Sequence, residues 1–353
     1  MADSLPIVTE QAELAVLDHI PDPVILLGAQ REVIFANRAA MELLQASYRN
    51  RDLAQSLRHP LVLEMADAVL RGASERTAEV DLLLPVPRVL MARAIAVPGN
   101  GPTRAMLTFR DMTDSRQAEQ IRQDFVANVS HELRSPISAI VGFIETLRGP
   151  AREDVPARER FLGIMAEEAQ RMSRLIDNLL SLSRVEATEH VRPRESVDIA
   201  VILGTVRDLL SRRAQEREME IRLEFDDNLP PILGIRDELT EVFHNLIDNA
   251  IKYGRVATPV RVAVRAIERI PDIGGPGVAI SVENQGEGIE QEHIPRLTER
   301  FYRIDKGRAR KMGGTGLGLA IVKHIVNHHR GRIAIESVVG VGARFTVYLP
   351  GQR

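Results

Sequence analysis

The chain contains no cysteine and no tryptophan, and aromatic residues make up only 4% of its 353 residues. Without cysteine it has no disulfides, no thiolate metal sites and no cysteine-adduct photochemistry. Because aromatic rings are scarce, its cores must be built mainly from Leu, Ile, Val and Ala. The hydrophobic content of 44% is nevertheless ordinary, and the length allows two or three compact domains.

Two further features are missing from the sequence. It has no run of about 18 apolar residues, and its first ten residues carry acids where a secretion signal would carry basic residues. We therefore expect a cytoplasmic chain, and a membrane tether of the natural protein outside this chain stays open. The net charge of -3 shows no basic excess, so we expect no nucleic-acid partner.

The most informative stretch is residues 125–147, which read F-V-A-N-V-S-H-E-L-R-S-P-I-S-A-I-V-G-F-I-E-T-L. Its apolar residues recur at alternating spacings of three and four, which predicts a helix that packs along one seam. His131 lies about 200° around this helix from Val129, so its imidazole should face solvent. A solitary surface histidine is usually only a solvated side chain, and its neighbours therefore decide its meaning. The apolar stripe consists of Val126, Val129, Leu133, Ile137, Ile140, Ile144 and Leu147.

The string S-H-E-L-R-S-P resembles the phosphoacceptor box of sensor histidine kinases. The match is specific because Pro136 inside a helix costs about 3 kcal/mol, which a helix without a functional reason rarely keeps. The resemblance implies that His131 receives a phosphoryl group from ATP and that Glu132 polarises the ring as a base. Ser135 takes the position at which such kinases often carry a Thr or Asn that orients water for dephosphorylating their partner.

The sequence of the N-terminal part predicts a short disordered segment over residues 1–10 and a domain over residues 11–113. Its predicted elements, two strands, small helices and then three strands, follow the order of a PAS sensor domain, which the opening D-H-I-P-D-P-V-I-L-L also resembles. Asp111 and Thr113 resemble the motif that couples many PAS domains to a following helix. A PAS fold alone does not name its ligand or input. The predicted strands are 23–28, 33–36, 78–84, 89–97 and 104–110, with a short helix at 38–44.

A helical hairpin is predicted over 114–190. Gly149 and Pro150 end the first helix, and 158–185 carries a heptad stripe interrupted only by Glu168. Each hairpin keeps an exposed apolar seam, so two hairpins should pair into a four-helix bundle and make the protein a homodimer. The alternative, a hairpin that packs against another domain of the same chain, stays open.

The hydrophobic pattern of residues 194–353 predicts an α/β sandwich, because segments with the alternation of β-strands are separated by segments with the periodicity of helices. The predicted strands are 219–225, 260–264, 278–282 and 345–349, and the predicted helices are 199–216, 236–253 and 317–329. The predicted fold is thus multidomain, with an α/β PAS domain, a hairpin that forms a dimeric four-helix bundle, and an α/β sandwich domain.

Four motifs of this last domain resemble the ATP-binding boxes shared by histidine kinases, gyrase-type ATPases and Hsp90-type chaperones. The first, H-N-L-I-D-N-A-I-K-Y, places Asn245 and Asn249 four residues apart on one helix face. The resemblance implies that Asn249 ligates Mg²⁺, that Lys252 contacts phosphate and that Tyr253 forms a wall beside the nucleotide.

The second motif is V-E-N-Q-G-E-G-I, in which Gly286 and Gly288 let the backbone turn close under the base. The family has an Asp where this chain has Asn284, and that Asp accepts a hydrogen bond from the adenine amino group. Asn284 can still accept this bond, but without charge assistance, a loss of about 1 to 2 kcal/mol or roughly five- to thirty-fold in ATP affinity.

The other two motifs are T-E-R-F-Y-R-I-D-K and G-G-T-G-L-G-L-A-I-V-K. The first resembles an aromatic box, Phe301 and Tyr302, beside a mobile basic lid that includes Arg308. The second enters a helix, where consecutive backbone amides and the positive helix end can hold phosphates. Its residues are Gly314, Thr315, Gly316, Leu317 and Gly318. We interpret His324, His328 and His329 on that helix as structural.

Together these motifs identify the chain as a sensor histidine kinase, most similar to the phosphate-regulon type. The resemblance implies Mg²⁺-assisted transfer of the ATP γ-phosphoryl to His131 and then to an Asp of a response regulator. Two alternatives stay open: a nucleotide-binding-impaired pseudokinase scaffold, which Asn284 favours, and a gyrase-like or chaperone-like ATPase, which the His131 hairpin disfavours.

Overall fold

The computed structural model describes residues 16–44, 50–82, 87–97, 103–188, 191–305 and 314–351. The chain forms two compact units, Met1–Asp124 and Phe125–Arg353, and each has its own apolar core. In the described part of the chain, no helix combines the length and the apolarity needed to cross a membrane.

The first unit is a five-stranded antiparallel sheet with short helices. The strand order is β2-β1-β5-β4-β3. Inward and outward side chains alternate along the central strand β5, so that Ala105, Leu107 and Phe109 are fully buried. The predicted order of elements is confirmed. The elements are β1 Val24–Leu27, β2 Val33–Ala36, α1 Arg38–Leu44, α2 Leu53–Ser56, α3 Pro60–Leu70, β3 Glu75–Leu82, β4 Arg88–Val97 and β5 Arg104–Asp111.

Two long helices follow, α4 over Thr113–Arg148 and α5 over Val155–Thr188. Helix α4 accommodates Pro136, whose ring is buried. Helix α5 begins earlier than its apolar stripe predicts, because the Asp154 carboxylate accepts a hydrogen bond from Ala157 N at 3.0 Å and caps it. Part of the predicted α4 stripe remains exposed in the single chain, including Ile137 at 47% and Ile144 at 41%.

The rest of the second unit is an α/β sandwich. Its sheet has the order β11-β12-β10-β9-β7, in which only the β7–β9 pair is parallel. Three helices pack their apolar faces against one face of this sheet. The elements are β6 Ser196–Val197, α6 Ile199–Gln215, β7 Ile221–Phe225, β8 Ile232–Leu233, α7 Arg236–Tyr253, β9 Val260–Ile267, β10 Gly277–Gln285, a 3-10 turn Ile294–Arg296, α8 Gly318–His328, β11 Arg332–Val338 and β12 Gly342–Pro350.

Sequence patterns missed three strands of this domain. Strands β6 and β8 have two residues each, which is too short for alternation to appear, and they pair with each other. Strand β11 lies at the sheet edge, and only one of its residues is fully buried, so its pattern is weak. Leu317 caps α8 rather than beginning it.

Candidate functional site

The predicted acceptor residues lie on one stretch of α4. His131 and Ser135 are exposed and one helical turn apart, whereas Glu132 is half-buried. The exposure of His131 follows from its position off the apolar stripe. A reacting phosphoryl group can therefore reach the imidazole without displacing packed side chains.

Glu132 accepts bonds from two arginines. One Oε atom lies 2.7 Å from Nη2 of Arg171 on α5 and 3.4 Å from Nη2 of Arg303, which follows the predicted aromatic box. Arg171 also contacts Glu168 at 3.4 Å and is only 8% exposed. The carboxylate next to His131 thus joins the hairpin to the α/β sandwich domain. The sequence predicted Arg303 as a basic residue of the lid, but it predicted no contact of either arginine with Glu132.

The α/β sandwich domain contacts the hairpin at further points. Asn178 donates from Nδ2 to Thr315 Oγ1 at 2.9 Å, which brings the Gly-rich turn against the hairpin. A small cavity beside this contact is lined by Glu132, Pro136, Arg171, Met172, Leu175 and Thr315. Further contacts include Ser181 Oγ to Glu241 at 2.7 Å, the Arg300–Glu186 ion pair, and the rings of Phe125 and Phe301 at 5.9 Å.

Helix α7 carries the predicted metal and phosphate residues. Asn245 and Asn249 are both half-buried, and Asn245 donates from Nδ2 to the Glu241 carbonyl at 3.0 Å. Lys252 lies 2.5 Å from Oδ2 of the buried Asp248, so in this state its ammonium is bound within its own helix. Asp248 is a residue that sequence reasoning did not single out.

The C-terminal end of α7 is held by Arg217. Its Nη1 donates to the carbonyls of Ile251, at 2.6 Å, and Lys252, and its Nη2 donates to Gly254 at 3.0 Å. These are carbonyls that a helix end leaves without intrahelical partners. Tyr253, which lies between Lys252 and Gly254 in the chain, is 43% exposed. Nothing in the local sequence pattern predicted this role for Arg217.

Two glycines allow the close backbone approaches that the site requires. A Cβ on Gly318, the first residue of α8, would lie 2.7 Å from Asn245 Oδ1, and one on Gly286 would lie 2.7 Å from the Tyr253 carbonyl. Side chains at either position would push α7 away from the Gly-rich turns. Gly288, in the second motif, and Gly316 have positive φ values of 73° and 75°. Of the remaining predicted residues in the Gly-rich turn, Gly314 is half-buried and Leu317 is fully buried.

Asn284 lies near the end of β10, where it pairs with Ala343. Its Nδ2 is 3.4 Å from the Gln285 carbonyl, a weak contact that leaves its amide oxygen available. It also borders a cavity of about 290 Å³ lined by the ends of the strands, including Arg261 and Arg344. No residue of α7 or the Gly-rich turn lines that cavity.

The aromatic box is held by hydrogen bonds. Phe301 has a φ of 62° and donates from its amide to the Gly316 carbonyl at 2.8 Å. The Tyr302 hydroxyl lies 2.8 Å from His293 Nδ1, and the Arg296 guanidinium covers the Tyr302 ring at 4.3 Å. The predicted lid residue Arg308 lies outside the described residues.

The motif predicted to close the first unit is formed. Thr113 N donates to Asp111 Oδ1 at 2.9 Å, and Val89 N donates to Thr113 Oγ1 at 3.0 Å. Hydrogen bonds from the side chain and the amide of Thr113 lower the pKa of Asp111. The first residue of α4 is thereby tied to strand β4.

Three family models match the chain. They are a PAS domain over residues 14–78, a His Kinase A (phospho-acceptor) domain over 121–188, and a histidine kinase-, DNA gyrase B- and HSP90-like ATPase domain over 234–353. The phosphate regulon sensor protein PhoR of Pseudomonas aeruginosa is 36% identical over 95% of this chain and 74% of its own length. The chain belongs to the sensor histidine kinase family.

Other matches agree with this assignment. Sensor histidine kinase WalK of Bacillus subtilis is 32% identical over 97% of this kinase, which spans 56% of WalK. The solved structure of histidine kinase ThkA in complex with response regulator protein TrrA has a TM-score of 0.52 and 18% identity, and it covers 96% of the kinase and 98% of that chain. This structural likeness shows the fold.

The predicted family, fold class and enzymatic activity are therefore confirmed. The chain is a protein-histidine kinase that uses ATP, autophosphorylates and passes the phosphoryl group to a response regulator. Nothing in these matches favours the pseudokinase alternative.

Proposed function

We propose that His131 is the phosphoacceptor of this kinase and that Glu132 is the base that assists it. The observation that carries the proposal is the bonding of Glu132 to Arg303 of the ATP-binding domain at 3.4 Å, directly beside the exposed His131. Glu132 is part of the acceptor helix and contacts the ATP-binding domain. Its position beside the imidazole therefore depends on how the two domains pack during the reaction.

The chemistry assigned to these residues is one displacement. A ring nitrogen of His131 attacks the γ-phosphorus of ATP, the N–P bond forms, the bond to the β–γ bridging oxygen breaks, and ADP leaves. Glu132 accepts a hydrogen bond from the other ring nitrogen and so stabilises the positive charge that develops on the imidazole. The remaining catalysis consists of positioning and of stabilising charge on the phosphates.

We assign the nucleotide to the space between α7 and the Gly-rich turns. Gly286 and Gly318 permit backbone approaches there that a Cβ would block, and amide oxygens such as that of Asn249 are ligands that Mg²⁺ accepts. Asn249 would hold Mg²⁺, with Asn245 beside it. The ion supplies neutralisation of phosphate charge when bound. The other contacts assigned to ATP are those of Lys252, Tyr253, Asn284, Gly288, Phe301, Tyr302, Arg308, Gly314, Thr315, Gly316 and Leu317.

We also assign a homodimer. The stripe that leaves Ile137 and Ile144 exposed on α4, together with Leu180 at 51% on α5, fits pairing with a second hairpin. Sedimentation of the full chain should give a dimer, and Ile144→Arg should shift it towards monomer. A Val155→Arg substitution, at an apolar residue that is 53% exposed at the start of α5, is the matched control.

A second activity, dephosphorylation of the regulator, is assigned to Ser135. Its hydroxyl is exposed one turn beyond His131, where it can orient an attacking water. Ser135→Ala should slow loss of phosphate from the phosphorylated regulator without lowering autophosphorylation. Equal loss of both activities would reject this role.

The test of the phosphoacceptor is incorporation of label from γ-labelled Mg-ATP into the full chain. Label that is acid-labile, lost in His131→Ala and kept in His19→Ala, an identical change at another exposed histidine, supports the proposal. Label retained in His131→Ala would place the acceptor elsewhere.

Asn284 stands where the family resemblance implies an Asp. Including Asn284→Asp in the same experiment tests how this residue affects the use of ATP. More label in Asn284→Asp than in the unmodified chain at limiting ATP would show that Asn284 weakens ATP binding.

A further inference from the structure

Arg217 lies in the turn between α6 and β7, and its guanidinium reaches the end of α7. The backbone of this turn is held on both sides, since Arg217 N donates to the Ala214 carbonyl at 3.0 Å and Ala257 N donates to the Arg217 carbonyl at 3.3 Å. Arg217 is half-buried. A guanidinium is always charged, and it presents several N–H donors in a fixed plane. The turn therefore holds a rigid, positively charged donor group against α7.

Three carbonyls at the end of α7 accept hydrogen bonds from this one side chain. Nη1 donates to Ile251 at 2.6 Å and to Lys252, and Nη2 donates to Gly254 at 3.0 Å. Ile251 and Gly254 are buried residues, and a carbonyl that loses its donor in such a place destabilises the local backbone. The guanidinium also offsets the negative end of the helix dipole. Arg217 thus holds the position of the last turn of α7.

Tyr253 lies within this bonded stretch, and its carbonyl faces the second ATP-binding motif. A Cβ on Gly286 would lie 2.7 Å from that carbonyl. Gly254 and Gly286 pair as an antiparallel bridge, and Arg255 N donates to the Gln285 carbonyl at 2.7 Å. The segment that follows α7 is therefore joined through its backbone to the end of β10.

A shift of the α7 end would disturb two side chains assigned to the nucleotide base. Tyr253 is 43% exposed, so the direction of its ring depends mainly on the backbone that carries it. Asn284 lies two residues before Gly286, on the other side of the same backbone pairing. The bonds of Arg217 thus act on the geometry of the base site from outside it.

We propose that Arg217 is a positioning residue for ATP binding, which holds the end of α7 so that Tyr253 and the paired turn at Gly286 form the site of the base. This inference rests on the proposed assignment of the nucleotide to the space between α7 and the Gly-rich turns. It does not depend on which histidine accepts the phosphoryl group.

The test is calorimetry of the full chain with Mg-ADP, which presents the same base without transferring a phosphoryl group. Arg217→Ala should raise the Kd about tenfold, the size expected when contact between a base and an aromatic ring is lost. Chain that fails to fold lowers the number of sites that calorimetry counts, rather than their affinity. An unchanged Kd would overturn the proposal.

A double-mutant cycle with Tyr253→Ala distinguishes positioning of the ring from a general structural role. If Arg217 acts through Tyr253, Arg217→Ala should raise the Kd less in the Tyr253→Ala chain than in the unmodified chain. An equal effect in both chains would contradict this route. If Tyr253→Ala alone leaves the Kd unchanged, the assigned base site is wrong, whereas an effect of Tyr253→Ala without one of Arg217→Ala rejects only the present inference.

The rate of reaction provides a second readout. Arg217 supports contacts with the base and not with the reacting phosphate, so the initial rate of autophosphorylation at saturating ATP should stay within about twofold in Arg217→Ala. A large loss of this rate together with an unchanged Kd would assign Arg217 to the chemistry or to the fold.

Two further variants separate the shape of the side chain from its charge. In Arg217→Lys the charge is kept, but a compact ammonium cannot span the three carbonyls, so the Kd should lie between those of the unmodified chain and Arg217→Ala. A Kd equal to that of the unmodified chain would show that charge alone is enough and would reject the bridging role. Arg212→Ala is the matched control, because Arg212 is an exposed arginine at the end of α6 that pairs with Glu216. It should leave the Kd unchanged.

Discussion

Asn178 on the second hairpin helix and Thr315 in the Gly-rich turn are joined by a hydrogen bond of 2.9 Å between Nδ2 and Oγ1. The same hydroxyl is assigned to ATP phosphate. The Thr315 hydroxyl is therefore needed both for this contact with the hairpin and for binding phosphate. The two interactions compete for it.

Asn178→Ala should strengthen ATP binding. In the unmodified chain, Thr315 must give up its hydrogen bond with Asn178 before it can bind phosphate. Without Asn178 this cost disappears, and the conformation that binds ATP becomes more populated. We expect about a fivefold lower Kd for ATP by calorimetry, the equivalent of one hydrogen bond. Asn327→Ala, at an exposed site on α8, should leave the Kd unchanged. Weaker binding in Asn178→Ala would mean that the contact assists the nucleotide.

Glu132→Gln tests the base next to His131. The amide keeps the shape of the side chain but accepts a hydrogen bond weakly, so the initial rate of autophosphorylation should fall about 100-fold with an unchanged Kd for ATP. Glu168→Gln is the control, because Glu168 contacts the same Arg171 without adjoining His131. An equal loss of rate in both variants would assign the effect to the position of Arg171.

Features that depend on local periodicity were predictable. The bounds of α7, Arg236–Tyr253, follow from acids in its first turn and Gly254 after its end, and the exposure of His131 follows from its angle to the apolar stripe. The family resemblance then predicted functional roles for side chains whose roles periodicity alone does not indicate.

Features that depend on tertiary pairing were not predictable. Glu132 and Arg303 are 171 residues apart, and Asn178 and Thr315 are 137 apart. No repeating pattern links such residues, and their contact depends on how the ATP-binding domain docks on the hairpin. The ion pair of Lys252 with Asp248 is local, but the sequence does not distinguish a lysine that pairs within its own helix from one that binds phosphate.

Thr113→Val should destabilise the first unit by about 1 kcal/mol, because Val89 N loses its acceptor. Thr113→Ser keeps the hydroxyl and should behave like the unmodified chain. Scanning calorimetry of the full chain measures the unfolding transition of the first unit in each variant.

The same pair predicts a pH dependence. Because Thr113 lowers the pKa of Asp111 in the folded unit, the ionised carboxylate contributes stability above its ordinary pKa. This contribution is lost as the pH falls through the lower folded value. The stability difference between the unmodified chain and Thr113→Val should therefore stay constant down to about pH 4, the ordinary range of an Asp carboxyl, and shrink below it. A constant difference would contradict a role for the Asp111 charge.

Asn249→Ala tests the assigned metal ligand. Removing an oxygen ligand should raise the Mg²⁺ concentration for half-maximal autophosphorylation at least about tenfold, since even indirect supports of metal sites have effects of this size. Chelation by EDTA should stop labelling in every variant. Asn327→Ala provides the control for loss of an asparagine. An unchanged Mg²⁺ requirement in Asn249→Ala would move the ligand elsewhere on α7.

Asn284→Asp tests whether residue 284 reads the adenine amino group. An ionised carboxylate accepts a stronger hydrogen bond than an amide, and the weak 3.4 Å contact of Asn284 with Gln285 would offer little resistance to the change. The Kd for ATP should fall about five- to thirty-fold, whereas the Kd for GTP, which presents a carbonyl at the same ring position, should not fall. Asn284→Ala should weaken ATP binding relative to the unmodified chain. If Asn284→Asp strengthens ATP and GTP binding alike, the added charge acts on the bound metal or on the fold, and the base is recognised by another residue.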